Sequence, residues 1–394
     1  MVHKQNPQLN HLPSDGNDLR KPKTEVTGFN SVSITSCIYH CCKRCAKKRQ
    51  RRKYLPQEIF SKVLLHLPAQ VLHDAVRYVC RDWNLVIHSQ NFIYDHLRDS
   101  NSGLIIQGCV SLRKTFVEMR QGCLEISKFD FGFNDLVSSS CNGLVLTTDV
   151  NNMHILIVVN PVTKQRLSLP PFFSPSFFAD FCGFAFVVPS MEYKVVTSYD
   201  RLFSANVQCA VLTIGVDRVW RHIDIQHLSL TTRKALCGFP LTTGAFVHWI
   251  DKAVVLTLNM ETETIHQFSH PPVGLIYGKF LPMENNLTYV CKANDFLWEV
   301  WEMNLETGVW NKSFSFDLGI QVSRYKDFFD SQRNLVPYGW LVQRELLVFG
   351  APICHQSICM AYNVKRKEVT LFELDPSKEP YNIKAHVKSL IWLQ

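Results

Sequence analysis

Four cysteines and a histidine crowd into Cys37-Ile38-Tyr39-His40-Cys41-Cys42-Lys43-Arg44-Cys45. These residue types bind zinc, but structural zinc sites take two separated ligand pairs with a folded loop between them. Here every candidate falls within nine residues and no matching pair follows closely, so the segment reads as a linker with incidental thiols and no metal is expected. His248-Trp249-Ile250-Asp251 sets a histidine and an aspartate three apart. On a strand, residues at odd separation point to opposite faces, so the pair reads as packed structure rather than a catalytic couple. The carboxylates Glu192, Asp200, Glu261 and Glu263 show no pairing suited to general acid–base work. The chain has no Gly-rich phosphate loop of the Walker type and no Gly-x-Ser-x-Gly elbow. No catalytic residue and no cofactor is expected.

The elements that carry these residues begin with a polar, apolar-poor tail. Residues 1–53 read as a disordered basic N-terminal region. Lys43, Arg44, Lys47, Lys48, Arg49, Arg51, Arg52 and Lys53 carry eight positive charges without an acid, and the formal net charge of the whole chain is +8. The remainder is balanced and sets up no strong field for phosphate. Lys47, Lys48, Arg49, Arg51, Arg52 and Lys53 form a nuclear-import candidate, with a solvated linker as the plainer reading. No apolar run is long enough to cross a membrane as a helix, and Met1 to Arg20 lacks a secretory core, which points to an intracellular protein, in the nucleus, the cytoplasm or both. The 14 cysteines then read as free thiols.

From Tyr54 the pattern becomes helical. Leu55-Pro56-Gln57-Glu58 suits a helix start, because proline loses nothing in the first turn and Glu58 favours the positive end. Ile59, Phe60, Val63, Leu64 and Leu67 recur at helical spacing until Pro68. A second helix carries Val71, Leu72, Ala75, Val76 and Val79, and a third, from near Asp82, carries Trp83, Val86 and Ile87. Three helices in about 40 residues hold more apolar side chains than so small a bundle can bury, which points to docking against something else.

Beyond about Leu104 the texture is β: short runs such as Gly143-Leu144-Val145-Leu146 and Ile155-Leu156-Ile157-Val158-Val159 are separated by turn residues. A turn of the form Asn-x-x-Thr repeats at Asn160-Pro161-Val162-Thr163, Asn259-Met260-Glu261-Thr262 and Asn304-Leu305-Glu306-Thr307. Weaker copies stand at Arg120-Gln121-Gly122, Gly215-Val216-Asp217 and Asn363-Val364-Lys365-Arg366. From Asn160 through Gly215, Asn259 and Asn304 to Asn363 the intervals are 55, 44, 45 and 59 residues. A four-stranded propeller blade takes roughly 40 to 50 residues. The spacing predicts six or seven blades, against the alternative of a β-sandwich with accidental hairpins.

The segment Leu55 to Ile93 resembles an F-box. The matching positions are Leu55-Pro56-x-Glu58-Ile59, Val63-Leu64-x-x-Leu67-Pro68, Leu72, Val76 and Val79-Cys80-Arg81-x-Trp83-x-x-Val86-Ile87, with departures at Gln70-Val71 and Asp74. The long β-rich remainder of the chain resembles the F-box-associated domain of plant F-box proteins. Ser140-Cys141-Asn142-Gly143-Leu144, Asn160-Pro161-Val162-Thr163-Lys164, Leu169-Pro170-Pro171, Trp220-Arg221, Gly244-Ala245-Phe246-Val247-His248-Trp249 and Val387-Lys388-Ser389-Leu390 stand in that family's order, while 275–338 matches loosely. The resemblance implies an α+β multidomain chain: a disordered tail over 1–53, a three-helix F-box over 54–100 and an all-β propeller over 101–394.

It further implies a non-catalytic substrate receptor of an SCF-type ubiquitin ligase. The F-box would dock on a Skp-type adaptor, and through it on cullin and RING subunits, while the propeller holds an unidentified target protein. Carried over by position, the adaptor-binding residues are Leu55, Pro56, Ile59, Val63, Leu67, Pro68, Leu72, Val76, Val79, Cys80 and Trp83. Several of these, Val63 and Val79 above all, could instead be bundle core. Two other functions compete with this one: a nuclear nucleic-acid-binding protein using the arm 43–53, and a propeller enzyme, since the fold alone hosts many activities.

Overall fold

A computed structural model describes residues 56–120, 122–127, 129–149, 152, 154–172, 182–200, 207–273, 278–322, 324–325, 335–342, 344–350, 358–374 and 381–393. The Cys37–Cys45 cluster, the basic run 43–53 and Leu55 lie outside the described residues.

The chain enters through four short helices: α1 (Gln57–Leu65), α2 (Ala69–Asp74), α3 (Arg81–Ile87) and α4 (Gln90–Asp99). The second predicted helix is broken. At Ala75 the backbone leaves helical geometry (φ −129°, ψ −53°), and a single 3₁₀ turn, Val76–Tyr78, carries the chain on to α3. Prolines start the first two helices, since Pro56 and Pro68 both hold the extended backbone that a helix cap needs (φ −51° and −58°). The fourth helix, which the apolar spacing did not separate from the third, is capped by Ser89, whose Oγ accepts from the Phe92 N–H at 3.4 Å.

Among the described residues, twenty-four strands form six four-stranded antiparallel sheets. The first sheet holds β1 (Ser102–Gly108), β2 (Lys114–Arg120) and β3 (Cys123–Ser127). Blade two is β4 (Leu136–Cys141), β5 (Leu144–Thr148), β6 (Leu156–Val159) and β7 (Arg166–Ser168). Blade three is β8 (Cys182–Val187), β9 (Glu192–Asp200), β10 (Val207–Thr213) and β11 (Arg221–Ile223). A short helix α5 (Leu230–Arg233) precedes blade four, β12 (Leu241–Thr243), β13 (Phe246–Ile250), β14 (Val255–Asn259) and β15 (Thr264–Phe268). Blade five is β16 (Gly278–Met283), β17 (Asn286–Lys292), β18 (Leu297–Met303) and β19 (Trp310–Asp317). After α6 (Gly319–Val322), blade six is β20 (Val336–Val342), β21 (Leu346–Gly350), β22 (Ile358–Asn363) and β23 (Glu368–Glu373).

The last strand, β24 (Tyr381–Val387), returns to pair with β1, Ser102 opposite Val387 and Gly108 opposite Tyr381, as the innermost strand of the first blade. Successive innermost strands β24, β4, β8, β12, β16 and β20 adjoin around a closed ring. The architecture is a six-bladed propeller, and the sandwich alternative is excluded.

Burial explains the strand patterns. β5 and β8, covered on both faces by neighbouring blades, are buried at every position; β8 is apolar throughout, and β5 is apolar until Thr147 and Thr148. On the outermost β23 only Val369 and Phe372, which point to opposite faces, are buried, while Glu368, Thr370 and Glu373 are exposed.

All six predicted turns join the third strand of a blade to its fourth. In each strong copy the asparagine side chain shapes the turn. Asn160 Oδ1 accepts from the Val162 and Thr163 N–H groups (2.8 and 3.3 Å), Asn259 Oδ1 from Glu261 and Thr262 (2.8 and 3.4 Å), and Asn304 Oδ1 from Glu306 and Thr307 (2.9 and 2.9 Å). The fifth residue then turns left-handed, as at Lys164 (φ 62°), Glu263 (56°), Gly308 (71°) and Lys367 (58°). Because turns alternate ends in an antiparallel meander, these six lie on the face where the helices enter at Ser102; blade-to-blade connections leave from the opposite face.

Candidate partner-docking surface

Residues 52–394 form one unit, and the helices share a core with blades two and three: Leu64, Leu72, Val76, Val86, Ile87, Phe92 and Ile93 cluster with Leu144, Val162, Phe184, Leu390 and Ile391. Tyr94 of α4 lies 6.1 Å from Phe186 of β8, centroid to centroid. The apolar excess of the small bundle is therefore largely absorbed within this chain.

What is left over is specific. On α1 the inward positions are Phe60 and Leu64, with Phe60 stacked on Trp83 at 6.3 Å and 15°. Ile59 and Val63, one turn apart on the other side, are 49 and 57 % exposed. Tyr78 and Leu85 are 70 and 58 % exposed. The Arg77 guanidinium lies 4.6 Å from the Tyr78 ring and donates to its hydroxyl. The Leu67–Pro68 corner is held from behind. His96 Nε2 donates to the Leu67 carbonyl at 2.8 Å, and burial keeps this imidazole below the usual histidine range.

Of the sequence-derived docking residues, Pro56, Ile59, Val63 and Pro68 are exposed, and Leu67, Val79, Cys80 and Trp83 are half-buried. Leu72 and Val76 are buried in the shared core, where the propeller and the segment after β24 cover them. Val63, weighed above as bundle core, faces outward. Tyr78 and Leu85 were not singled out from the sequence. For Leu85 a signal existed, since it falls out of phase with Val86 and Ile87 and so belongs to the opposite side of α3.

The strand histidine and aspartate are not assembled into a site. His248 is fully buried on β13 between the hydroxyls of Thr243 and Thr257 (2.7 and 2.9 Å), and Asp251 stands beyond the strand end, exposed. Among the described residues no group of three or more His, Cys, Asp or Glu side chains is placed to hold a metal ion, and no helix is long and apolar enough to cross a membrane.

Residues 114–390 match the family described as the F-box associated beta propeller domain. The chain belongs to that family. The match runs through 275–338, where the quoted motifs are loose and the Asn304 turn is kept. No curated protein matches the chain. Among solved structures, the crystal structure of TolB from Acinetobacter baumannii is similar at 8% identity, with a TM-score of 0.43 over 78% of this chain and 73% of that one. An oligogalacturonate lyase in complex with manganese is similar at 10% identity, with a TM-score of 0.37 over 66% of this chain and 69% of that one.

Proposed function

We propose that this F-box-associated propeller and the helices ahead of it form the substrate-recognition subunit of an SCF-type ubiquitin ligase. The helices 56–99 act as the F-box and dock on a Skp-type adaptor, and the adaptor supplies the cullin and RING subunits. The propeller's loops on one face hold a target protein. The subunit contributes proximity rather than bond-making, raising the effective concentration of the target near the transferring enzyme.

The observation that carries this reading is the set of apolar side chains left exposed on the helical module, Ile59 and Val63 one turn apart on α1, with Tyr78 and Leu85. Exposed apolar groups that a chain could have buried mark partner sites. They stand immediately ahead of a domain whose family is named for its association with F-boxes. Co-purification of the full chain with a purified Skp-type adaptor tests the reading: a stoichiometric complex is expected, and its absence at micromolar concentrations would overturn it.

A further inference from the structure

The segment after β24 is neither strand nor helix, yet Ser389, Leu390 and Ile391 are 0, 1 and 7 % exposed. Buried backbone outside regular structure needs its polar groups matched one by one. The third-to-fourth-strand turn of blade two does this. Asn160, itself fully buried, donates through Nδ2 to the carbonyls of Ser389 (3.2 Å) and Ile391 (2.7 Å), while its Oδ1 shapes its own turn. Gln165 Oε1 accepts from the Leu393 N–H at 2.9 Å. The Ser389 side chain occupies the space a Cβ on Gly143 would need, 2.2 Å from Oγ.

The other side of the segment faces the helices. The Trp392 indole stacks on His88, just past α3, at 4.7 Å and 28°, and lies 5.9 Å from the His73 ring of α2. The Arg77 guanidinium is 5.9 Å from the same indole. Leu390 and Ile391 join the cluster that holds Leu72, Val76 and Ile87 on one side and Leu144 and Val162 on the other.

We infer that Ser389–Leu393 is a strap that fixes the orientation of the helical module on the propeller, with Trp392 as the positioning residue and Asn160 and Gln165 as its anchors. Apolar contact alone is non-directional and would let the module slide. The three hydrogen bonds to one turn and the ring stack on His88 are directional, and they set one arrangement. Resting on the proposed function, the strap holds whatever the helices dock on at a constant angle to the target-binding face.

The test uses the full chain with a donor and an acceptor dye at the exposed positions Lys62 and Glu306, attached by non-cysteine chemistry because the chain has 14 cysteines. Fluorescence lifetimes give the distance distribution. The native chain is expected to show one narrow distribution. Trp392→Ala should broaden it at least twofold, Trp392→Phe should restore it, and Gln165→Ala, which removes one anchor without opening the core, should broaden it less. The melting of the propeller should stay unchanged in all three. An unchanged width in Trp392→Ala overturns the strap. So does broadening that comes only with a matching loss of propeller stability, which would make the segment ordinary core. No adaptor is present in the measurement, so the strap and the docking reading stand or fall separately.

Discussion

His386 Nδ1 lies 2.9 Å from the hydroxyl of Ser140, joining the innermost strands of the first two blades where β24 closes the ring. Burial, reinforced by the Lys388 charge, pushes His386 down to about 3, and burial alone does the same to His248. Both are neutral when folded, while the unfolded chain titrates them near 6.5. Above that pH neither affects stability. Below it the unfolded chain takes up the protons first, so stability falls by about 1.4 kcal/mol per pH unit for each histidine until pH 3 is approached. Between pH 6.5 and 5 the two together should remove roughly 3 kcal/mol. Urea midpoints across that range check this, and His248→Gln should flatten the slope. A native profile that is flat from pH 7 to 5 would contradict the assignment.

Gly143 has φ +80°, and a Cβ there would sit 2.7 Å from the Val387 carbonyl as well as against Ser389. The backbone conformation alone costs a non-glycine residue about 1–3 kcal/mol. The clash adds to it, because carbonyl and strap are both fixed. Gly143→Ala should lower the melting temperature markedly, whereas Gly215→Ala, at φ +79° with open space around it, should show only the backbone component. Equal losses in the two variants would mean that the strap yields.

These positions show what a sequence can and cannot display. The asparagine turns were legible because the side chain of Asn160, Asn259 or Asn304 bonds its own next residues, a local event. The copies at Gly122 and Gly215 were fainter because only a positive-φ glycine marks them. Blade number stayed at six or seven because the closing pair, β24 on β1, joins residues nearly 280 apart and has no local signature. The helices were legible from their apolar spacing, but their outward faces were not. Leu72 and Val76 carry the same spacing as Ile59 and Val63, and only the non-local strap and propeller decide which pair is covered.

Between blades three and four, Lys194, 7 % exposed, donates to Glu263 at 2.8 Å and to the Met260 carbonyl at 3.0 Å. Arg221 grips the same carboxylate through two nitrogens at 2.7 and 2.9 Å, and its hydrogen bonds, followed by those of Lys194, hold Glu263 below the usual carboxylate range. Glu263→Gln strands a buried ammonium and should cost about 3 kcal/mol. Lys194→Met removes the buried charge itself and leaves Glu263 with Arg221, so it should be nearly neutral. Chemical denaturation of the two variants measures the difference, and a larger loss in Lys194→Met would reverse the assigned roles.

The docking surface makes the sharpest separation between folding and function. Ile59 and Val63 touch little of their own chain, and surface substitutions of that kind stay within about 0.5 kcal/mol of stability. Ile59→Asp and Val63→Asp should therefore melt like the native chain yet lose the Skp-type adaptor, because an unpaired carboxylate cannot be desolvated against an apolar partner. Leu72→Ala should do the reverse, costing about 2–5 kcal/mol through the cavity it opens while the exposed apolar side chains are left intact. At a temperature where Leu72→Ala remains folded it should still bind. Titration of each purified variant with adaptor, alongside its melting curve, reads both effects. If the two aspartate variants bind as the native chain does, the adaptor contacts some other part of the module. The burial of Leu72 and Val76 would then direct the search to Tyr78 and Leu85, because a side chain already covered by the propeller has no surface to offer a partner.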